Sequence, residues 1–144
     1  MTIHRSYLVH PPLALFRYEG RVDMAMLLEA FGAHRVDPAH VPGSDVFADL
    51  TDLTEAALDF EVLRHLLTDA AMHYRTPCET RLVFVAPTDL GYGVARMYQS
   101  MSAGLSAHER VEVLRDRTTA LAALGLQPDL ALWMARATPG RRQG

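Results

Sequence analysis

Arg81-Leu-Val-Phe-Val-Ala86, followed by Pro87-Thr-Asp-Leu-Gly-Tyr-Gly-Val-Ala-Arg-Met-Tyr-Gln99, constrains the fold of this chain more than any other stretch. An unbroken apolar run between a charge and a proline reads as a strand buried on both faces. Asp89 then stands where a helix N-cap belongs, with Gly91 and Gly93 in the turn that follows. Strand, short loop and helix are half of a βαβ unit, so the expectation is an α/β fold built around a largely parallel sheet.

The remaining segments extend that pattern in both directions. Tyr7 to His10 and Leu13 to Glu19 are β-like runs broken by Pro11-Pro12, which suggests a leading hairpin or edge strand ended by Gly20. Asp23 can cap a helix carrying Met24, Leu27, Leu28 and Phe31 on one face, and His34 to Ser44 reads as a loop. Asp45 to Leu50 is the next strand, with Thr51 to Ala57 the connection leaving it. Asp59 is a second N-cap, before a helix with Leu63, Leu66, Leu67, Ala70, Ala71 and Tyr74 in one stripe, closed by Thr76-Pro77. Beyond the central strand, Leu90, Val94, Met97 and Met101 form the expected seam of its helix. Arg110 to Leu114 alternates as a strand, and Asp116 starts a helix through Leu124 with Gly125 at C′. Pro128 opens a short helix with Leu130, Trp133 and Met134, and residues 138–144 read as a frayed tail. The order predicts one domain over residues 1–137. Its mixed sheet has about five strands, mainly parallel with an N-terminal antiparallel hairpin, and about four helices pack on it.

Composition removes several function classes. The 144 residues carry a net charge of −3, which speaks against a nucleic-acid or anionic-membrane footprint. All 14 basic residues are arginine, so Schiff-base chemistry and a P-loop, both of which need lysine, are excluded. Cys78 is the single cysteine, which rules out an internal disulfide or a cysteine zinc site and suits a reducing cytoplasm. Pro11-Pro12 interrupt the first apolar residues, unlike a signal peptide, and no run approaches the length of a membrane helix.

The order of elements is joined by local likenesses: Pro42-Gly43 before a strand ending in Asp49-Leu50, then Val85 to Tyr98. Val113-Leu-Arg-Asp116 runs into Ala120-Leu121. In these features the chain resembles the SpoIIAA-like branch of the STAS superfamily, well over about residues 43–124 and weakly before them. The resemblance implies a bacterial, non-enzymatic regulatory module that binds a protein partner and needs no cofactor. In anti-sigma factor antagonists of that family a partner kinase phosphorylates a Ser or Thr at the start of the helix after the third strand. Aligning Asp49-Leu50-Thr51 on the family's Asp-Leu-Ser puts Ala57-Leu58 where that hydroxyl should be. Thr51 and Thr54, expected in the same loop, stand as alternative hydroxyls.

Other groupings offer other chemistries. His65, Asp69 and His73 share one face of the second helix and have the residue types of a metal site, though that face lies opposite the apolar stripe. Asp89, Gly91, Gly93 and Arg96 mark a helix start where backbone N–H groups favour anions, yet the spacing is not the dinucleotide fingerprint and Asp89 opposes an anion. Met24, Met26, Met97, Met101, Tyr92 and Tyr98 would suit either a core or a pocket for a small apolar, lipid-like ligand. Cys78 as a nucleophile is a further enzymatic alternative. The favoured contact surface is the Asp49–Asp59 loop, the helix it enters and the neighbouring Asp89–Arg96 turn, and the first strand's edge or the Trp133 helix could serve a homodimer.

Overall fold

A computed structural model describes residues 2–9, 11–41, 43–65, 80–103, 109–126 and 142–143. The fold is α/β, as expected. Strands β1 (Thr2–Leu8), β2 (Leu13–Asp23), β3 (Asp45–Ala57), β4 (Thr80–Val85) and β5 (Glu109–Leu114) lie in the order β5-β4-β3-β2-β1. β1 and β2 pair antiparallel, while β2, β3, β4 and β5 run parallel to one another. Helix α1 (Met24–Val36) connects β2 to β3, residues 60–65 belong to α2, α3 (Asp89–Ala103) connects β4 to β5, and α4 (Arg117–Ala123) follows β5. Arg142–Gln143, in the segment expected to fray, form a short strand β6 parallel to β1 at Tyr7 and Leu8.

Strand periodicity divides the core into two layers. Ala14, Phe16 and Tyr18 of β2, Ala48 and Leu50 of β3 and Phe84 of β4 point to one face, where Leu27 and Ala30 of α1 and Ala95 of α3 meet them. Leu13, Leu15, Phe47, Val83 and Val85 point to the other, against Ala120 and Leu121 of α4. β4 supplies buried side chains to both faces, which is why its sequence is continuously apolar rather than alternating.

Several boundaries differ from the sequence reading. Gly20 does not end β2: at φ 75° it sits in a register irregularity, and the strand continues to Asp23. That extension gives β3 a partner at Arg21↔Glu55, Val22↔Ala56 and Asp23↔Ala57. β3 therefore runs through residues 51–57, which were expected to be a connection. Backbone pairing outweighs the polar composition of Thr51 to Glu55 there, helped by burial of Leu53. Helix α1 starts at its expected cap, Asp23, whose carboxylate accepts from Met26 N at 3.0 Å, but reaches Val36 and so includes His34. Leu28, expected on its buried face, is exposed.

Asp59 caps α2 as expected, accepting from Glu61 N and Val62 N at 3.0 and 3.2 Å, and Leu63 is buried. The rest of that stripe, together with Asp69, His73, Cys78, Trp133 and the helix expected from Pro128, lies outside the described residues. Asp116 caps α4 through Thr119 N at 2.8 Å, and Gly125 adopts φ 71° beyond its end. Among the described residues no helix is long and apolar enough to cross a membrane.

Candidate functional site

The carboxyl ends of parallel strands, where α/β sheets present their loops, gather most of the polar chemistry on this side of the molecule. Asp49 pairs with Val85, and Val85 pairs with Leu114, so Asp49, the Ala86–Asp89 turn and the Leu114–Arg117 turn stand side by side. Ala86 N donates to Leu114 O at 2.8 Å and fixes the two turns to each other.

Asp49 is the centre of this cluster. It is only 2 % exposed, and both carboxylate oxygens are engaged. Oδ1 accepts from Thr51 N at 2.9 Å and Thr51 Oγ1 at 2.5 Å; Oδ2 accepts from Arg117 Nε at 2.8 Å and pairs with Arg117 Nη2 at 2.7 Å. Two guanidinium nitrogens on one oxygen, plus a backbone and a hydroxyl donor on the other, satisfy a buried charge that would otherwise be costly. The pair also ties α4 to the middle of β3, whose residues lie 68 positions apart in sequence. With its oxygens so occupied, Asp49 is a structural tie rather than a free base.

Arg115 organises the outer half. Its guanidinium lies 4.0 Å from the centre of the Tyr92 ring, donates to Pro87 O at 3.3 Å and reaches Asp89 Oδ1 at 3.4 Å. Asp89 and Arg115 are exposed, so this pairing orients the turn more than it stabilises the fold. Asp89 is not the N-cap expected from sequence. Thr88 takes that part: its Oγ1 accepts from Gly91 N at 3.1 Å and its carbonyl from Tyr92 N at 2.9 Å. Asp89, one residue on, opens the helix and points to Arg115.

The two glycines of α3 have opposite environments. A Cβ on Gly91 would meet Leu50 Cβ and Thr88 Oγ1, each at 3.2 Å, so the glycine permits close helix–sheet contact. Nothing lies within 4 Å of a Cβ on Gly93. The inward side of α3 is therefore small, Gly91, Ala95 and Ser102, with Tyr92, Val94 and Tyr98 beside it. The expected seam of Leu90, Val94, Met97 and Met101 does not form as a buried stripe, because the helix turns its small residues to the sheet. Leu90 and Met97 are left 39 % and 45 % exposed on either side of the open Gly93. At the far end, Glu109 Oε1 accepts from Ser102 Oγ at 2.6 Å and Tyr98 OH at 3.3 Å, pinning α3 to β5. Burial and the neighbouring Glu109 carboxylate push the Tyr98 hydroxyl far above its ordinary range, so it acts as a donor.

Of the residues singled out from sequence, Thr51 is drawn into the Asp49 cluster, and Gly91 and Asp89 border it through Leu50 and Arg115. Thr54 is exposed on β3, and Gly93 and Arg96 lie on the outer side of α3. Arg115 and Arg117 were missed; their only sequence signal was Arg-Asp-Arg directly after a strand. His65 is exposed, and among the described residues no group of His, Cys, Asp or Glu is arranged to hold a metal ion. No protein-family model, curated protein or solved structure matches the chain.

The contrast between the glycines gives a stability prediction. Gly93→Ala, at an open helical position, is expected to stabilise the protein by about 0.5–1 kcal/mol, because alanine restricts the unfolded chain and favours helix. Gly91→Val forces α3 off Leu50 and is expected to cost about 1–3 kcal/mol. Urea denaturation of both variants checks the sign of each change.

Proposed function

We propose that this chain is a STAS-like, non-enzymatic regulatory module of the bacterial cytoplasm that acts by binding a protein partner. The contact surface is the outer face of α3 with the adjoining Thr88–Asp89 turn. The observation that carries the reading is the exposed pair Leu90 and Met97 flanking Gly93, whose missing side chain leaves a flat seat between them. Exposed apolar side chains rimmed by charge, here Asp89, Arg96 and Arg115, have the composition of a recognition surface.

The interior beside this face favours a surface over a pocket. At Gly91, α3 packs directly on the sheet, with Leu50 and Thr88 each 3.2 Å from where a Cβ would stand and no room left between them. Asp49, the most buried carboxylate near the site, has its oxygens engaged by Thr51 and Arg117, which supports binding without turnover. The test is affinity capture from the cell of origin with the wild type and with Leu90→Glu/Met97→Glu. The reading expects a partner that the wild type retains and the folded double variant loses; equal recovery by both would remove the α3 face from the account.

A further inference from the structure

A second polar cluster lies at the other end of the molecule, where α1 hands over to the connection toward β3. His34, near the end of α1, stacks on His40 with ring centroids 3.9 Å apart and planes 27° from parallel. On its other sides His34 meets Tyr7 of β1, nearly parallel at 5.6 Å, and the edge of Phe16 of β2 at 5.1 Å. The Tyr7 hydroxyl lies 2.7 Å from His34 Nδ1. The charged groups facing the pair are Arg5 of β1 and Asp37 of the connection, joined at 3.1 Å, with Arg35 of α1 bordering His40; beside Tyr7 runs the backbone of Arg142 in β6. Asp37 also accepts from Ala39 N at 2.8 Å, and its carbonyl from His40 N at 3.0 Å.

We propose that the stacked His34–His40 pair is an acid-released latch, which holds the Asp37–Val41 connection closed while both rings are neutral and frees it when they take up a proton. The geometry favours neutrality: two imidazolium rings stacked at van der Waals distance repel, and the Arg5 guanidinium adds positive charge beside them. The Tyr7 hydroxyl, which burial pushes up to about 12, keeps its proton and supplies no compensating negative charge.

The direction of the pH response follows. Burial first, then His40 and Arg5, bring His34 down from 6.5 to about 4, with Asp37 opposing. Burial also lowers His40, against the pull of the His34 carbonyl, Asp37 and the Arg35 carbonyl. The opened state, with ordinary histidines, binds more protons than the closed one below pH 6.5. Closure is thus fully present above the ordinary histidine range and is lost as pH falls from 6.5 toward 4. Because the rings interact, the protons are taken up by the pair rather than by either residue alone.

The experiment is amide hydrogen exchange at Ala39 and His40 in the intact chain, corrected for the intrinsic pH dependence, between pH 7.5 and pH 4. A shift from 6.5 to about 4 predicts that local opening rises by about two orders of magnitude over this range, while Phe47 and Val83 in the sheet stay protected. His40→Phe keeps a ring over His34 and removes one proton site and the charge facing His34, and is expected to reduce the rise to the part that burial of His34 sets. A wild-type connection whose exchange does not change, or an equal rise in His40→Phe, overturns the latch. Histidine ring titration by NMR gives a check that needs no variant: coupled uptake below the ordinary range supports the latch, and independent titration of both rings near 6.5 rejects it.

Discussion

Arg117→Met is expected to destabilise the fold by about 3 kcal/mol, more than the loss of Asp49's own charge would. The two partners of this ion pair are unequally buried. Arg117 keeps 30 % of its side chain exposed and can turn to water when left alone, whereas Asp49 is 2 % exposed and cannot. Removing the arginine strands an uncompensated carboxylate in the core. Asp49→Asn instead retains the shape and the contact with Thr51, at an expected cost of about 1–2 kcal/mol. The double variant Asp49→Leu/Arg117→Met should recover most of the loss, because replacing both members of a buried pair by apolar groups is often neutral. Chemical denaturation of the set decides it: if Arg117→Met and Asp49→Asn cost the same, the asymmetric burial is not what governs this pair.

Leu90→Glu/Met97→Glu is expected to weaken partner binding by about 100-fold or more, which is roughly 3 kcal/mol. Both side chains are already partly in water, so the fold should lose about 1 kcal/mol or less. A glutamate at position 90 also suits the helix, since it falls in the first turn where the macrodipole favours negative charge. The two effects separate in measurement, binding by titration against the captured partner and stability by melting. A variant that melts far below the wild type would show that Leu90 and Met97 serve the fold and not the surface.

How far the sequence revealed this architecture depended on how local each signal was. The apolar run at 82–86, the caps Asp23, Asp59 and Asp116 and the C′ glycine Gly125 are local signals, and the structure carries all of them. The ends of β2 and β3 were misread because each is extended by the other: Thr51 to Ala57 is strand only because β2 continues past Gly20 beside it. Sequence points to Asp89 as the N-cap of α3, whereas Thr88, the good capping residue before it, takes that part, and only its hydrogen bond from Gly91 N separates the two. Helical spacing correctly placed apolar residues on α3 but not which side faces in, a choice made by the small Gly91, Ala95 and Ser102 against the sheet. The Asp49–Arg117 tie and the His34–His40 stack were invisible for a simpler reason. The first spans 68 residues, and the second joins a helix end to a segment that reads as an ordinary proline-containing loop.

The central claim is that the outer face of α3 meets a protein. Arg96→p-benzoyl-phenylalanine, a photo-crosslinking residue on the exposed rim of this face that leaves the Gly93 seat open, tests it where the contact should occur, with a probe at the exposed Ala122 of α4 as the control. Irradiation in the cell of origin is expected to give one dominant protein adduct from position 96, abolished by Leu90→Glu and absent from position 122. Adducts from the two positions that are equally sparse, or equally mixed, would contradict the account.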